Sequence, residues 1–484
     1  MSFRQAFCVI SVIVLIIAGF MLLPVAFGLY YGEIEAVKTF IITQAGMVTV
    51  SLATLLSCRK KRSAKIGARE GFLIVSMSWL IASLFGALPF YVSGAIPRFT
   101  DAFFETVSGF TTTGASILTE IESLPKAILF WRSLTHWLGG MGIVVLTVAI
   151  LPLLGIGGMQ MLKAEAPGPT LDKISPKITV TAKILWFIYL ALTVFETVLL
   201  MFGGMDLFDA LTHTFGTMAT GGFSPRNASV GYYNSAFIDV VITVFMMLAG
   251  MNFILYFKLL TGKVRDLARN TEMKAYIGIF AVATAGITVT LLRNGTCTGL
   301  GEGLRYAGFQ AASILTTTGY VTADYELWPA FGQVVLFTLM FIGGCAGSTG
   351  GGIKVVRIVT LLKQGITEMK YLAFPRGVFT VKIDGRAVRK HFIYNVTGFV
   401  ILYMSFLFLT MLVTASSGEN IPTSLSTALA TLGNIGPGFG TIGPTKNYAL
   451  YPDYVKLFLS FAMIVGRLEV YTVLILFTSR FWKK

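Results

Sequence analysis

Four short segments of the sequence place threonine, asparagine and glycine in a pattern that suits the binding of a monovalent cation. They read TTTGAS at 111–116, MATGGFS at 218–224, TTTGYV at 316–321 and GNIGPGFG at 433–440. Glycine accepts a positive φ at no steric cost, and threonine adds a hydroxyl oxygen beside the backbone carbonyls. A ring of such carbonyls can replace the water around an ion that crosses lipid. Aligned on Gly114, Gly221, Gly319 and Gly436, the segments predict the four sides of a cation filter.

A site of this kind must lie inside a membrane, and the composition is that of a membrane protein. Of the 484 residues 55% are hydrophobic and only 13% are charged, whereas a soluble domain carries about a quarter charged residues. Apolar stretches long enough for the roughly 20 residues of a spanning helix occupy 6–29, 71–93, 128–154, 184–205, 237–260 and 392–413. The first is too long for the apolar core of a signal peptide, and a further span at 40–56 follows it. We therefore expect the first stretch to remain as a helix of the mature protein.

The net charge of +15 does not indicate binding to nucleic acid, because lysine and arginine collect in short breaks between the apolar stretches. The break at 59–69 holds six cations, the break at 263–274 holds four, and 354–390 is basic again. By the positive-inside rule these breaks face the cytoplasm. The sequence thus predicts a multi-pass protein with both termini in the cytoplasm.

Residues typical of metal centres and catalysis are too dispersed to form a site. The cysteines show neither CxxC nor metal-ligand spacing, and the histidines are equally scattered: Cys8, Cys58, Cys297, Cys345, His136, His213 and His391. There is no plausible Ser/His pair, HExxH motif, paired aspartates or nucleotide-binding fingerprint. We expect no enzymatic activity and no cofactor, with the transported ion as the substrate. Several carboxylates on the outer side or in the short helices could enrich cations at the mouth of the filter, although scattered carboxylates are more often solvated: Glu33, Glu35, Glu105, Glu120 and Glu122.

The elements around the glycine segments repeat four times. Each unit has an apolar helix, a shorter helix of about 10 to 15 residues, a glycine segment and a second apolar helix. The short helices are expected at 100–110, 206–218, 303–315 and 423–432. The predicted fold is all-α and integral to the membrane, with four such pseudo-repeats around one central pore. Two extra helices at 1–68 precede repeats at 69–180, 181–271, 272–389 and 390–484.

The repeats all run in the same direction, since each begins and ends at a basic break. Each short helix therefore points its carboxyl end at the membrane centre, where its partial negative charge stabilises a cation. The alternative is that each glycine merely ends a helix in a turn. Four segments in matching context favour the pore. Asn434 and Ile435 depart from the threonine pattern, so one side of the ring is expected to lack hydroxyl oxygens.

A second glycine-rich segment predicts a gate. Residues 343–352 contain six glycines in the returning helix of the third repeat, and each costs about 1 kcal/mol in a helix interior. That helix must break, and the broken segment can block a pore; the alternative is a contact between helices through small residues. Arg467 lies roughly 15 residues into the last apolar stretch, where a charge is costly and needs a partner. It could bond the carbonyls of the broken segment and repel cations, or else pair with Glu469.

The sequence resembles the Trk/Ktr/HKT superfamily of potassium transporters, and within it the bacterial TrkH-like potassium uptake proteins. The motifs that carry the resemblance span nearly the whole chain: REGFLIV at 69–75, DAFFETVSGFTTTGA at 101–115, GGMGIVVL at 139–146, GGMQMLKAEAPGP at 157–169, FIGGCAGSTGGGIKVVR at 341–357 and GRLEVYT at 466–472. The GGCAGSTGGGIK and GRLEV motifs are the most specific of them.

The resemblance implies a role for individual residues. It places in a potassium filter Thr112, Thr113, Gly114, Thr220, Gly221, Thr318, Gly319, Ile435 and Gly436. It assigns a gate to Gly343, Gly344, Gly347, Ser348, Thr349, Gly350, Gly351, Gly352 and Arg467. Related plant proteins that transport sodium have serine at the first filter glycine, so Gly114 argues for potassium, with some rubidium permeation.

The resemblance also implies a location and partners. It predicts the bacterial inner membrane, a homodimer with one pore in each protomer, and a separate TrkA-like cytosolic ring of nucleotide-binding subunits. That ring is expected to dock on basic segments such as 369–390. Two functions remain open: gated potassium uptake driven by the electrochemical gradient, and stoichiometric transport coupled to protons or sodium. Sequence reasoning favours the first, because it finds Arg467 as the only deep charge, and arginine is no proton relay.

Overall fold

The computed structural model describes residues 3–58, 67–140, 142 and 178–483. In this part of the chain six helices are long and apolar enough to cross a membrane, and eight if each strongly bent pair counts as one span. The predicted all-α membrane fold is confirmed. Most of the basic break at 59–69, the later part of the 128–154 stretch and the 157–169 motif lie outside the described residues.

The two helices expected before the repeats are present. The first span consists of Phe3–Phe20 and Leu22–Tyr30, and the second is Ile34–Cys58. Their apolar side chains pack against the first outgoing helix and against one another, as at Ile13 and Phe40, which are fully buried. The pair therefore forms one layer beside the first repeat.

Each repeat begins with a long outgoing helix and continues with a short one. The outgoing helices are Ala68–Val92, Ile178–Phe202, Thr271–Arg293 and Lys390–Ala415. The short helices 1 to 4 are Phe99–Phe110, Leu207–Ala219, Leu300–Leu315 and Ile421–Leu432. With 12 to 16 residues they are too short to span a bilayer, as the sequence predicts.

The starts of two short helices are set by polar caps. The Asp206 side chain accepts from the backbone N–H of Asp209 at 2.7 Å, and the Asn420 side chain accepts from Thr423 at 2.9 Å. All four helices are largely buried, so they form the centre of the molecule and the outgoing helices surround them.

The returning helices are less regular than predicted. The first is described as Lys126–Gly140; the second consists of Ala236–Ala249 and Phe253–Leu260, bent by 94°. The third is interrupted between Ala330–Leu339 and Val355–Ala373, as the six glycines predict. The fourth consists of Asp453–Arg467 and Val470–Leu474, and the bend at this break measures 115°. The expectation of continuous helices in repeats two and four is therefore wrong.

The connection between repeats three and four carries a small β-hairpin. Strand Lys382–Ile383 pairs antiparallel with strand Arg386–Ala387, and Asp384 and Gly385 form the turn with positive φ. Two further short helices are Val264–Arg269, between repeats two and three, and Ser479–Trp482, after the last returning helix. The hairpin projects from the helical bundle, since most of its residues are exposed.

Candidate functional site

The four glycine loops begin directly where the short helices end. In each loop one residue with positive φ is followed two positions later by a glycine with positive φ. The first members are Thr112, Thr220, Thr317 and Asn434, with φ of 53°, 55°, 61° and 54°, and the glycines are Gly114, Gly222, Gly319 and Gly436, with φ of 79°, 80°, 82° and 93°. Because left-handed backbone is rare for residues with a side chain, the repeated pattern marks one conformation that all four loops share.

These glycines bring the four loops together in a ring. A methyl group placed on each glycine would strike a carbonyl oxygen of the next loop. The added carbon would lie 2.1 Å from the oxygen of Gly221 for Gly114, 2.1 Å from that of Thr318 for Gly222, 2.1 Å from that of Ile435 for Gly319, and 2.6 Å from that of Thr113 for Gly436. The contacts run from the first loop to the fourth and then return to the first. Among the described residues, four backbone carbonyls thus form a closed set around one axis.

The second loop differs from the alignment made on the sequence. The residue equivalent to Gly114 is Gly222 and not Gly221, so the predicted equivalence is wrong by one position. Gly221 keeps its place in the ring through its carbonyl group, where the other loops have Thr113, Thr318 and Ile435. Two adjacent glycines in MATGGFS made the register ambiguous, and the backbone angles and the contacts between loops resolve it.

The short helices hold the loops from behind with polar side chains at one equivalent position. In three repeats the residue nine places before the positive-φ glycine bonds to the loop just beyond that glycine. Glu105 accepts from the Ser116 hydroxyl at 2.9 Å, the His213 ring contacts the Ser224 hydroxyl at 3.0 Å, and Gln310 donates to Thr322 at 3.4 Å. This spacing was visible in the sequence and would have placed Gly222 correctly.

The fourth loop is supported differently. Its backbone is bonded from outside by Tyr448, which donates its hydroxyl to the Gly436 carbonyl at 2.6 Å. The Asn434 side chain donates to the Thr113 hydroxyl at 2.9 Å and to the Met463 carbonyl at 3.0 Å. Asn434 therefore joins the fourth loop to the first and to the last returning helix, although it replaces a threonine.

A buried ion pair lies behind the first and second loops. Glu105 and Arg132 meet at 2.7 Å, and their side chains are 0% and 2% exposed. Arg132 also donates to the Ser224 carbonyl at 2.9 Å, and its guanidinium lies 3.6 Å from the ring centre of Phe223. Interpreting Glu105 as a solvated carboxylate was therefore wrong. It is a paired anion that fixes the loops, since two charges buried together need each other.

A second polar cluster supports the connection that follows the second loop. Arg226 donates to the Asp209 carboxylate at 2.7 Å, and the Tyr233 hydroxyl donates to the same carboxylate oxygen. Burial and the neighbouring Asp209 carboxylate raise the pKa of Tyr233, so the phenol stays protonated and remains a donor. His213 takes part only through backbone and hydroxyl bonds, as expected of a structural histidine.

The intramembrane loop, residues 343–352, lies against the glycine ring at the ends of short helices 3 and 4. Gly351 donates its N–H to the Thr317 hydroxyl at 2.7 Å, and a methyl group on Gly351 would lie 2.4 Å from the Gly433 carbonyl. On its other side the loop is bonded to the break in repeat two. The backbone N–H of Cys345 donates to the Gly250 carbonyl at 2.9 Å, and the backbone N–H of Phe253 donates to the Gly347 carbonyl at 3.0 Å.

Arg467 of the last returning helix also bonds to the intramembrane loop. Its guanidinium donates to the carbonyls of Thr349 at 2.6 Å, Gly139 at 2.7 Å and Gly140 at 3.1 Å. The alternative partner Glu469 pairs instead with Arg357 at 2.5 Å. One cation thus links the intramembrane loop to the carboxyl end of the first returning helix.

The sequence matches the TrkH family, described as a cation transport protein, over residues 38–293 and 297–484. The chain belongs to the TrkH family. The Trk system potassium uptake protein TrkH of Escherichia coli (strain K12) is 41% identical over 489 residues, with 100% of both chains covered. The Trk system potassium uptake protein TrkG of the same organism is 35% identical and covers 96% of this chain and 95% of its own. The crystal structure of the potassium transporter TrkH from Vibrio parahaemolyticus matches with a TM-score of 0.89 at 37% identity, covering 100% of both chains.

Two charged residues of this TrkH family member escaped sequence reasoning. Lys354 has positive φ and donates its ammonium to the Gly350 carbonyl at 2.6 Å, so it is a second cation on the intramembrane loop. Glu196 lies six residues before the end of its outgoing helix, roughly 9 Å along the axis, and is fully buried. Arg467 is thus not the only deep charged residue of this protein.

Glu196 also lacks a hydrogen-bond partner for either carboxylate oxygen among the described residues. The nearby Thr217 hydroxyl donates its proton to the His213 carbonyl at 3.0 Å instead. A single glutamate in an apolar helix gives little signal in a sequence, because its surroundings depend on which helix packs against it.

Proposed function

We propose that this TrkH family protein carries potassium, and with it rubidium, into the bacterial cell through a gated filter, driven by the electrochemical gradient. The observation that carries the proposal is the closed set of carbonyls of Thr113, Gly221, Thr318 and Ile435 at the ends of four buried short helices. The names of the E. coli and Vibrio relatives, which are potassium uptake proteins, support the choice of ion.

The ring suits a dehydrated monovalent cation for two physical reasons. Backbone carbonyls replace the oxygen atoms of the hydration shell, and the carboxyl ends of the short helices add a negative potential at the same place. Ile435 supplies a carbonyl but no hydroxyl, so the ring depends on backbone oxygens. Gly114 leaves the ring without a side chain at the position where the sodium-transporting plant relatives have serine.

The intramembrane loop forms the gate in this proposal. It lies against two of the four glycine loops, and Arg467 and Lys354 place positive charges on its carbonyls. A cation leaving the ring would meet both the loop and these charges. The loop must therefore move before the pore conducts, and Arg467 stabilises the closed arrangement.

We also propose that this multi-pass protein of the bacterial inner membrane has both termini in the cytoplasm. A homodimer with one pore per protomer is proposed, together with a TrkA-like ring on the basic connection at 369–390. Exposed cations there include Lys370, Arg376, Lys382 and Arg386. An acidic partner surface would be attracted to them. The transported ion is the substrate, and neither a cofactor nor catalysis is proposed.

A proton-coupled transporter is the second candidate, and Glu196 is the observation that keeps it testable. An ionisable residue inside a membrane helix is a functional candidate by default. Glu196 lies beside Thr217 of short helix 2 and not in the ring, which favours a structural role. Rubidium uptake into liposomes without a pH gradient separates the two. A pore conducts rubidium there without moving protons. An obligatorily coupled transporter moves protons together with the rubidium.

The decisive experiment is rubidium uptake into potassium-loaded liposomes, with potassium or sodium as competitor, for the native protein and for Gly114→Ser. The serine side chain would enter the ring at the Gly221 carbonyl, so we expect discrimination against sodium to be lost. Gly365→Ser is the matched control, because a methyl group on Gly365 meets nothing within 4 Å. Uptake that ignores Gly114→Ser, or no cation flux at all, would contradict the filter.

A further inference from the structure

One oxygen atom of Glu272 binds the chain on both sides of the glycines at 350–352. Glu272 is the second residue of the third outgoing helix, Thr271–Arg293, and is only 7% exposed. Its Oε1 accepts from the backbone N–H of Ala346 at 2.7 Å and from that of Val356 at 3.1 Å. One donor precedes the glycines at 350–352 and the other follows them, so the carboxylate closes the loop at its base.

This contact fits the chemistry of a broken helix. The break leaves backbone N–H groups without helical partners, and a buried N–H needs an acceptor. A carboxylate that accepts two of them forms charge-assisted bonds, roughly twice as strong as neutral ones. A neighbouring bond at the base of the loop, from the Val355 N–H to the Gly344 carbonyl at 3.0 Å, is neutral.

The residue next to Glu272 is joined to the β-hairpin. Thr271 donates its N–H to the Asp384 carboxylate at 2.6 Å, and Asp384 donates its N–H to the Thr271 hydroxyl at 3.0 Å. The hairpin also bonds to the helix that follows the loop, through Lys363 and the Lys382 carbonyl at 2.8 Å. The hairpin therefore bridges the third outgoing helix and the helix at 355–373. The distance between these helices determines whether Glu272 can accept from both the Ala346 and the Val356 amide.

We propose that Glu272 is the latch of the intramembrane loop and that the hairpin at 382–387 controls it through the Asp384–Thr271 contact. The inference rests on the proposed function, because it assumes that the loop closes the pore. Displacement of the hairpin moves the start of the third outgoing helix away from the helix at 355–373. Glu272 then loses one of its two amides, and the loop is free to leave the ring.

The first test measures rubidium uptake for Glu272→Ala, Glu272→Gln and Asp384→Ala. Glu272→Ala removes the acceptor, and we expect uptake to rise at least about fivefold with unchanged preference for potassium over sodium. Glutamine keeps a neutral acceptor of the same shape and restores most of the closed behaviour. Because Asp384→Ala acts through the same latch, adding it to Glu272→Ala gives no further increase. Glu368→Ala is the control, since Glu368 is exposed on the helix after the loop and accepts a hydrogen bond from Gln364 of the same helix.

The second test follows the loop itself through Cys345, which is 1% exposed. With the other cysteines replaced by serine, a small methanethiosulfonate reagent should modify Cys345 faster in Glu272→Ala than in the native protein. A folded Glu272→Ala protein with native uptake and native Cys345 modification overturns the proposal. If the native protein shows no cation flux, the proposed function fails, but the rate of Cys345 modification still decides whether Glu272 holds the loop.

Discussion

The register of the second glycine loop gives the sharpest prediction. Gly222 has φ of +80°, and a methyl group on it would lie 2.1 Å from the Thr318 carbonyl oxygen. Gly221 has no such backbone constraint, and a methyl group there would meet the ring of His136 at 2.6 Å. The first substitution therefore disturbs the carbonyl ring directly, whereas the second displaces a side chain behind it.

The size of the effect follows from these contacts. Left-handed backbone costs a residue with Cβ about 1–2 kcal/mol, which corresponds to a factor of about 5 to 30 before any displacement of the Thr318 carbonyl. We expect Gly222→Ala to lower rubidium uptake by at least that factor and to weaken discrimination against sodium. Gly221→Ala should also lower uptake, but in a His136→Ala background its additional effect should largely disappear.

The assay is rubidium uptake into potassium-loaded liposomes, normalised to the amount of inserted protein. Truncation of His136 makes room only for Gly221→Ala, because the neighbours of Gly222 are backbone atoms of Thr318 and Gly319. Native rubidium uptake by Gly222→Ala would contradict this register of the second loop. Rescue of Gly222→Ala by His136→Ala, as well as of Gly221→Ala, would contradict it too.

Three further outcomes are expected. Arg467→Ala removes the bonds to Thr349 and to the first returning helix, so rubidium uptake without a regulator should rise several-fold; unchanged uptake would show that Arg467 does not close the pore. Glu105→Ala leaves Arg132 buried and unpaired, which should lower the free energy of unfolding by about 3–5 kcal/mol in a thermal denaturation experiment in detergent. A native free energy of unfolding for Glu105→Ala would show that the Glu105–Arg132 pair does not stabilise the fold. Glu196→Gln keeps the shape of the side chain but cannot ionise. For a structural Glu196 we expect the uptake rate and its pH profile to match those of the native protein. A lost pH dependence of uptake would favour proton coupling.

The repeated architecture could be predicted because its signals are local. Short helix 2 was expected at 206–218 and is Leu207–Ala219, since Asp206 is a good cap and the glycines end the helix. The break in the third returning helix was predicted by its glycines. Each of these features depends on residues within one or two turns of helix, which a sequence displays directly.

The features that escaped prediction depend on contacts between repeats. The second returning helix breaks after Gly250, where Asn252 caps a new helix by accepting from Ile254 at 2.9 Å, and where the intramembrane loop takes up the freed groups. The fourth breaks at Glu469, which has φ of +61° and pairs with Arg357 of another repeat. An apolar stretch with one glycine or one charge does not reveal such partners. In the second loop, likewise, the adjacent Gly221 and Gly222 did not reveal which of them contacts the third loop.

The bonds that hold the intramembrane loop also set how often the pore opens by chance. Apart from the Glu272 latch, its neutral bonds to Gly250, Phe253 and Thr317 are each worth roughly 0.5–1.5 kcal/mol net, and its bond to the charged Arg467 about 1.5–3 kcal/mol, or roughly 3–7.5 kcal/mol together. Even with the Glu272 bonds broken, exchanging these four for water would leave only between about one molecule in 150 and about one in 200,000 open at any moment. An isolated protein would thus leak slowly, and a regulator needs to supply only a few kcal/mol of differential binding to make the open form the majority.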